Sequence, residues 1–102
     1  MPRRPATQLP VGLAHYKSTP IFGAGSTPSA LQSDHSTKPG VWGKIHLLTG
    51  QLRYAVTDPR RIATSTVLTA DGLPGIVEPT ILHRVELIGA VRFQVEFWRA
   101  PD

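Results

Sequence analysis

Apolar and polar positions change rhythm at Val41. Ahead of it, residues 1–14 carry scattered apolar side chains with no period and read as a loose N-terminal arm. The stretch "AHYKSTPIFG" offers one short edge strand, because Pro20 donates no ladder hydrogen bond and is tolerated only at an edge or a strand start. "AGSTPSALQSD" is rich in Gly, Ser and Pro and predicts a loop with one helical turn at Pro28–Leu31. Beyond Val41, "VWGKIHLL" and "QLRYAV" are β-rich segments separated by Thr49-Gly50, which predicts a hairpin. "TDPRR" predicts a type I turn, "IATSTVL" a strand, and "TADGLPG" a further turn around Asp71-Gly72. Two short strands flank Pro79 in "GIVEPTILHRVELIG". In "AVRFQVEFW", Val91, Phe93, Val95 and Phe97 alternate with a period of two.

About seven closely spaced strands, joined by turn signals and free of helical periodicity, predict an all-β fold: a sandwich, jelly roll or small barrel. The segments on either side of residue 60 predict two stacked hairpin layers.

Composition narrows this picture. A chain of 102 residues supports one core and one domain, here residues 15–102. Ten prolines and nine glycines leave little room for long helices. No apolar run approaches the roughly 20 residues that cross a bilayer. No apolar segment follows the basic start "MPRRP" as a secretion signal requires, so the expected compartment is the cytoplasm. With no cysteine, disulfides, thiolate nucleophiles and Cys-based metal sites are excluded together. Eleven Lys and Arg against seven Asp and Glu give a net charge of +4. That charge is scattered, not gathered into the basic stripe of a nucleic-acid binder, but it suits a small anion in a pocket.

The candidate chemistry therefore rests on four histidines and seven carboxylates. His15 lies in a surface segment, and His46 faces away from the side of Ile45 and Leu47. His35, in "SDHSTKPGVWGKI", either caps a turn beside Asp34 or forms one arm of a metal site. His83 shares a strand face with Ile81 and Val85, as a satisfied core residue or as a rigid neutral imidazole available to a metal. Glu96 is embedded in "FQVEFW"; facing inward, it needs a metal ion or an arginine such as Arg53 or Arg92. The pattern leaves open which face of that strand is inside. Trp42, Tyr54, Phe93 and Trp98 fit core or interface positions. No G-x-S-x-G, P-loop or G-x-G-x-x-G motif is present.

Four blocks, "HSTKPGVWGKI", "LTGQLRY", "PGIVEPTILHRVE" and "VRFQVEF", together with "YKSTPIF" near the start, resemble the tellurite-resistance protein B (TehB/YeaR-like) domain family over residues 15–99. The resemblance implies a cupin-like double-stranded β-helix, a jelly-roll barrel that is usually a homodimer. It matches Gly50 to the end of the first cupin block and His83 to the histidine of the second. The first block departs from the cupin pattern. It lacks an H-x-H pair, with Lys38 near the place of the second histidine and Gly43 near that of the glutamate. A reduced site of His35, His83 and Glu96 is what the resemblance leaves, holding a divalent metal ion: zinc first, with nickel, manganese or iron also compatible. Lys38, Trp42 and Arg53 are the accompanying candidates for contacts to a small-molecule or oxyanion ligand, Lys38 and Arg53 through charge.

Some members of the family join this domain to a methyltransferase dependent on S-adenosylmethionine. Residues 1–102 carry no glycine-rich loop for that cofactor, so methyl transfer by this chain alone is not expected. The leading expectation is a metal-binding cupin-like protein that binds or processes a small anionic ligand in tellurite resistance or stress. The alternatives are a non-enzymatic ligand-binding or sensor module and a partner-binding jelly roll.

Overall fold

The computed structural model describes residues 2–102. Six strands follow one another: β1 (Ala14–Ser18), β2 (Phe22–Gly23), β3 (Trp42–Val56), β4 (Thr64–Thr69), β5 (Gly75–Val77) and β6 (His83–Arg99). The only helical element among the described residues is a 3₁₀ turn at Ser29–Gln32, close to the predicted one. The fold is all-β. Its sheet runs β1-β6-β3-β4, with β2 also paired to β6 and β5 also paired to β3.

The predicted hairpin at Thr49-Gly50 does not form. Both flanking segments belong to β3, which pairs antiparallel with β6 along its whole length, from Trp42 opposite Trp98 to Val56 opposite His83. Thr49 and Gly50 instead lie in a β-bulge, where the register shifts between Leu47 and Thr49 and again between Gly50 and Gln51. The extra residue changes which alternate positions face inward: Ile45 and Leu47 before the bulge, Leu52, Tyr54 and Val56 after it. Gly50 has φ of +80°, and a Cβ there would collide with the Ala90 carbonyl. Gly89, with φ of +65°, relaxes β6 at the same level, so "HRVELIG" and "AVRFQVEFW" are likewise one strand. A turn signal and a bulge signal share the same Gly chemistry, and only the pairing of both halves with one partner distinguishes them.

Bending at the bulges lets β3 and β6 serve two regions of sheet. The first half of β3 lies between β5 and β6, and the second between β4 and β6. The inner face carries the core, in which Phe93, Ile45 and Leu52 are the largest fully buried side chains. Removing one such aromatic side chain costs about 3–5 kcal/mol.

The connections are built from the expected turn chemistry. Arg61 N–H donates to the Asp58 carbonyl at 3.1 Å, closing the predicted Asp-Pro-Arg-Arg turn. The segment before β1 is tied to the sheet, with Ala6 N–H donating to Glu78 Oε1 at 2.9 Å and Ile62 N–H to the Arg3 carbonyl at 2.8 Å.

Candidate functional site

His35 stands in the extended link after the 3₁₀ turn, and His83 opens β6. The two residues exchange both backbone hydrogen bonds, each N–H reaching the other's carbonyl at 2.9 Å. Their rings lie 4.2 Å apart between centroids. Two turns hold this bridge in place. At Lys38–Val41, Pro39 and Gly40 (φ +79°) occupy the central positions, and Val41 N–H closes onto the Lys38 carbonyl at 3.1 Å. At Glu78–Ile81 the same pattern has Pro79 followed by Thr80, whose φ of +64° is costly for a β-branched residue. Thr80 N–H donates to the Thr37 carbonyl at 3.1 Å and ties the two turns together.

Asp58 secures the approach to His83. Its buried carboxylate accepts from Leu82 N–H at 3.0 Å and takes both Arg60 Nε and Nη2, at 3.0 and 2.8 Å. The Arg60 guanidinium first, then the Leu82 and Arg60 N–H groups, hold this carboxyl well below the usual carboxylate range. Tyr54 supports the other side: its hydroxyl donates to the Ile76 carbonyl at 2.8 Å and its ring meets His83 edge-on at 5.7 Å. Burial, with Glu78 nearby, raises the phenol so that it stays protonated.

Both imidazoles are oriented alike. Nδ1 of His35 lies 2.8 Å from the Ser33 carbonyl, and Nδ1 of His83 lies 2.9 Å from that of Ile81. A carbonyl oxygen only accepts, so each Nδ1 carries a hydrogen and donates it. Burial, reinforced by the neighbouring His35, lowers the His83 pKa to about 4 against the opposing pull of the Ile81 carbonyl and Asp34. His83 is therefore a neutral imidazole at physiological pH, with its Nε2 lone pair unused by any described residue.

The pair lines a cavity of about 370 Å³. Its walls are apolar, formed by Leu31, Ile45, Val77, Val85, Phe93 and Phe97 among others. Exposed Lys17 and Lys38 stand at its margin. The structure thus brings together His35, His83 and Lys38 from the candidate residues. Trp42 and Arg53 are placed elsewhere: Trp42 beside Arg3, Arg4 and Glu78, and Arg53 against Ser65 at 3.2 Å.

The three-residue metal site does not assemble. Val95 and Phe97 face the cavity, so the alternation of β6 turns Glu96 to the opposite side of the sheet. There its Oε1 sits 3.0 Å from His46 Nε2 and accepts from Trp98 Nε1 at 3.1 Å. Burial pushes the Glu96 carboxyl up, but His46 and Trp98 together leave it lowered. Among the described residues no three His, Cys, Asp or Glu side chains converge as a metal-binding group. The residues that position His83, namely Asp58, Tyr54 and Glu78, carry little signal in sequence. Only the Asp-Pro turn marked one of them.

The TehB-like domain model matches residues 17–95. A probable S-adenosyl-L-methionine-dependent methyltransferase TehB from Haemophilus influenzae Rd is 34% identical over 74 residues, covering 72% of this chain and 26% of that protein. The uncharacterized protein YeaR of Escherichia coli K12 is 24% identical over 101 residues, covering 93% of this chain and 85% of the relative. The crystal structure of TehB from H. influenzae superposes with a TM-score of 0.80 at 27% identity, covering 88% of this chain and 32% of that one. A structure of an E. coli K12 protein gives 0.81 at 24% identity, covering 93% and 98%, a likeness of fold. The chain spans about a quarter of the length of the TehB relatives it matches.

These findings overturn the expectation of a metal-binding protein with a zinc, nickel, manganese or iron cofactor. Glu96 does not join His35 and His83, no three such ligands converge among the described residues, and the TehB relatives are named for S-adenosylmethionine and not for a metal.

Proposed function

The chain belongs to the TehB-like domain family, and on that premise we propose that it is the small-molecule-binding β-domain of a TehB-type system, working alongside an S-adenosylmethionine-dependent methyltransferase. The observation that carries this reading is the apolar cavity of about 370 Å³ closed at its polar end by His35 and His83. That volume lies at the small end of ligand sites, which run from about 300 to 1,000 Å³. It fits one small molecule. Methyl transfer itself then belongs to the part of the TehB relatives outside the shared quarter. The near-complete match to YeaR supports the domain as a unit that also occurs with little else attached.

In this reading the bent sheet is a cupin-type jelly roll, supported by the way β3 and β6 each serve two regions of sheet. No helix among the described residues is long and apolar enough to cross a membrane. A homodimer is supported by the free edge of β4, where Val67 is 40% exposed.

Titration with indole, followed by two-dimensional NMR, tests the cavity. Shifts are expected at Leu31, Val85, Phe93 and Phe97. Leu31→Trp fills the cavity from the half-buried 3₁₀ turn without altering the sheet and is expected to abolish those shifts. Absence of any shift in the native protein, or unchanged shifts in a folded Leu31→Trp, would reject the reading.

A further inference from the structure

We infer that the cavity selects a neutral ligand presenting two neighbouring hydrogen-bond donors, received by Nε2 of His35 and Nε2 of His83. This deepens the reading of the cavity as a small-molecule site and rests on it. Both Nδ1 atoms are committed to the Ser33 and Ile81 carbonyls, at 2.8 and 2.9 Å. A ring whose Nδ1 donates in this way offers its remaining nitrogen as an acceptor in the uncharged tautomer, the form in which burial holds His83. Neither Nε2 has a hydrogen-bond partner among the described residues, and neither is among the buried atoms sealed without one. Both residues line the cavity, so the lone pairs have the cavity as their outlet.

The ring separation of 4.2 Å brings the two acceptors within reach of one small group with paired donors. Backbone bonds of 2.9 Å in both directions hold that separation fixed before any ligand arrives. Such preorganisation spares the ligand the entropic cost of assembling its own site.

Other polar groups on the lining add no interior donor, the Tyr16 phenol belonging to an exposed residue of β1. Thr37 Oγ1 donates to the Val41 carbonyl at 2.6 Å, and Thr19 Oγ1 to the Pro20 carbonyl at 2.8 Å. Ser36, Lys17 and Lys38 are exposed at the margin. An anion entering the interior would give up water and meet lone pairs, which is unfavourable. A flat apolar body with two adjacent O–H or N–H groups meets both the walls and the acceptors. The sequence-based expectation of an anionic ligand is thereby replaced by its opposite in hydrogen-bonding sense.

Three probes of similar size separate the outcomes at neutral pH, all in excess chelator so that no metal ion mediates contact. They are catechol, its dimethyl ether veratrole, and benzoate. Calorimetry gives affinities, and the imidazole ¹⁵N resonances report on Nε2. Catechol is expected to bind roughly tenfold or more tightly than veratrole, the scale of one or two neutral hydrogen bonds, and to shift both Nε2 resonances. Benzoate is expected to bind more weakly still.

Replacement of His35 by Phe keeps the backbone bridge, and His35→Phe is expected to remove the preference for catechol over veratrole. His83→Phe serves as the second variant where it folds. Equal binding of catechol and veratrole, or preferential binding of benzoate, would overturn the donor inference while leaving the cavity as a ligand site. Catechol binding seen only when the chelator is omitted would overturn it too. If no probe binds and no resonance moves, both this inference and the reading beneath it fail.

Discussion

His35 and His83 are locked side by side by two backbone hydrogen bonds of 2.9 Å, with their rings 4.2 Å apart and tilted by 57°, although neither pairs through its side chain with the other. The backbone sets their distance, and the Ser33 and Ile81 carbonyls set their tautomers. Each layer of that arrangement makes a separate prediction.

Stability will depend on the protonation of His83. Its pKa falls from 6.5 in the unfolded chain to about 4 in the fold, because burial disfavours the imidazolium. A depressed folded pKa means that the unfolded state takes up the proton first. The associated stability, on the order of 3 kcal/mol, is complete above the unfolded value and is lost as pH falls through the folded one. Denaturant unfolding measured across this range will show the decline between about pH 6.5 and 4. His83→Leu will flatten it, leaving the acid loss due to Asp58 and Glu78 at lower pH.

Tyr54 meets His83 edge-on and donates a 2.8 Å hydrogen bond to the Ile76 carbonyl. Tyr54→Phe leaves that buried carbonyl without its partner and will cost about 1–2 kcal/mol in denaturant unfolding. A change below a few tenths of a kcal/mol would show that the hydroxyl carries no such role.

The Arg61–Glu78 pair anchors the end of β5 beside the Glu78–Ile81 turn. Its two contacts measure 3.0 and 2.7 Å, with side chains 13% and 7% exposed. The guanidinium holds the Glu78 carboxyl below its ordinary range, against burial. Arg61→Met leaves the buried Glu78 carboxylate only Ala6 N–H at 2.9 Å and the exposed Arg3 at 3.7 Å and will cost about 3 kcal/mol, whereas the double change Arg61→Met with Glu78→Leu will recover most of it. A double-mutant cycle reads the coupling directly, and additive losses would contradict the pairing.

Thr80 is held at φ of +64°, a conformation glycine adopts without strain. Relief of about 1–3 kcal/mol of strain outweighs the added chain entropy of glycine. Thr80→Gly will therefore raise the thermal midpoint by several degrees, on the scale of about 4–8 °C per kcal/mol for a small domain. A lower midpoint would show that Thr80 contributes packing worth more than its strain.

Much of the fold was legible along the chain. Alternation in "AVRFQVEFW", the Asp-Pro and Pro-Gly turns and the scarcity of helical periodicity indicate an all-β domain from local chemistry alone. The strand count erred at Thr49-Gly50 and at Gly89, because glycine relieves a bulge and a hairpin by the same φ freedom. Candidate residues were legible to a similar depth. His83 announced itself through Ile81 and Val85, and His35 through its place in the block order of the resemblance, while Glu96 was misassigned because the pattern of "FQVEFW" is symmetric between its two faces.

Local periodicity therefore suffices for what depends on neighbours in sequence: strand-forming stretches, turn types and the pairing of His83 with an apolar face. Which face of β6 looks inward depends on what lies across the sheet. The cavity is walled by Phe93, Val95 and Phe97, so Glu96 turns out toward His46 and Trp98. The roles of the imidazoles depend on carbonyls fixed by backbone bonds between distant segments, and burial then keeps His83 neutral. Side-chain chemistry was present in the sequence, but its direction in space and its solvent exposure arise only when β3, β6 and the His35 segment close on one another.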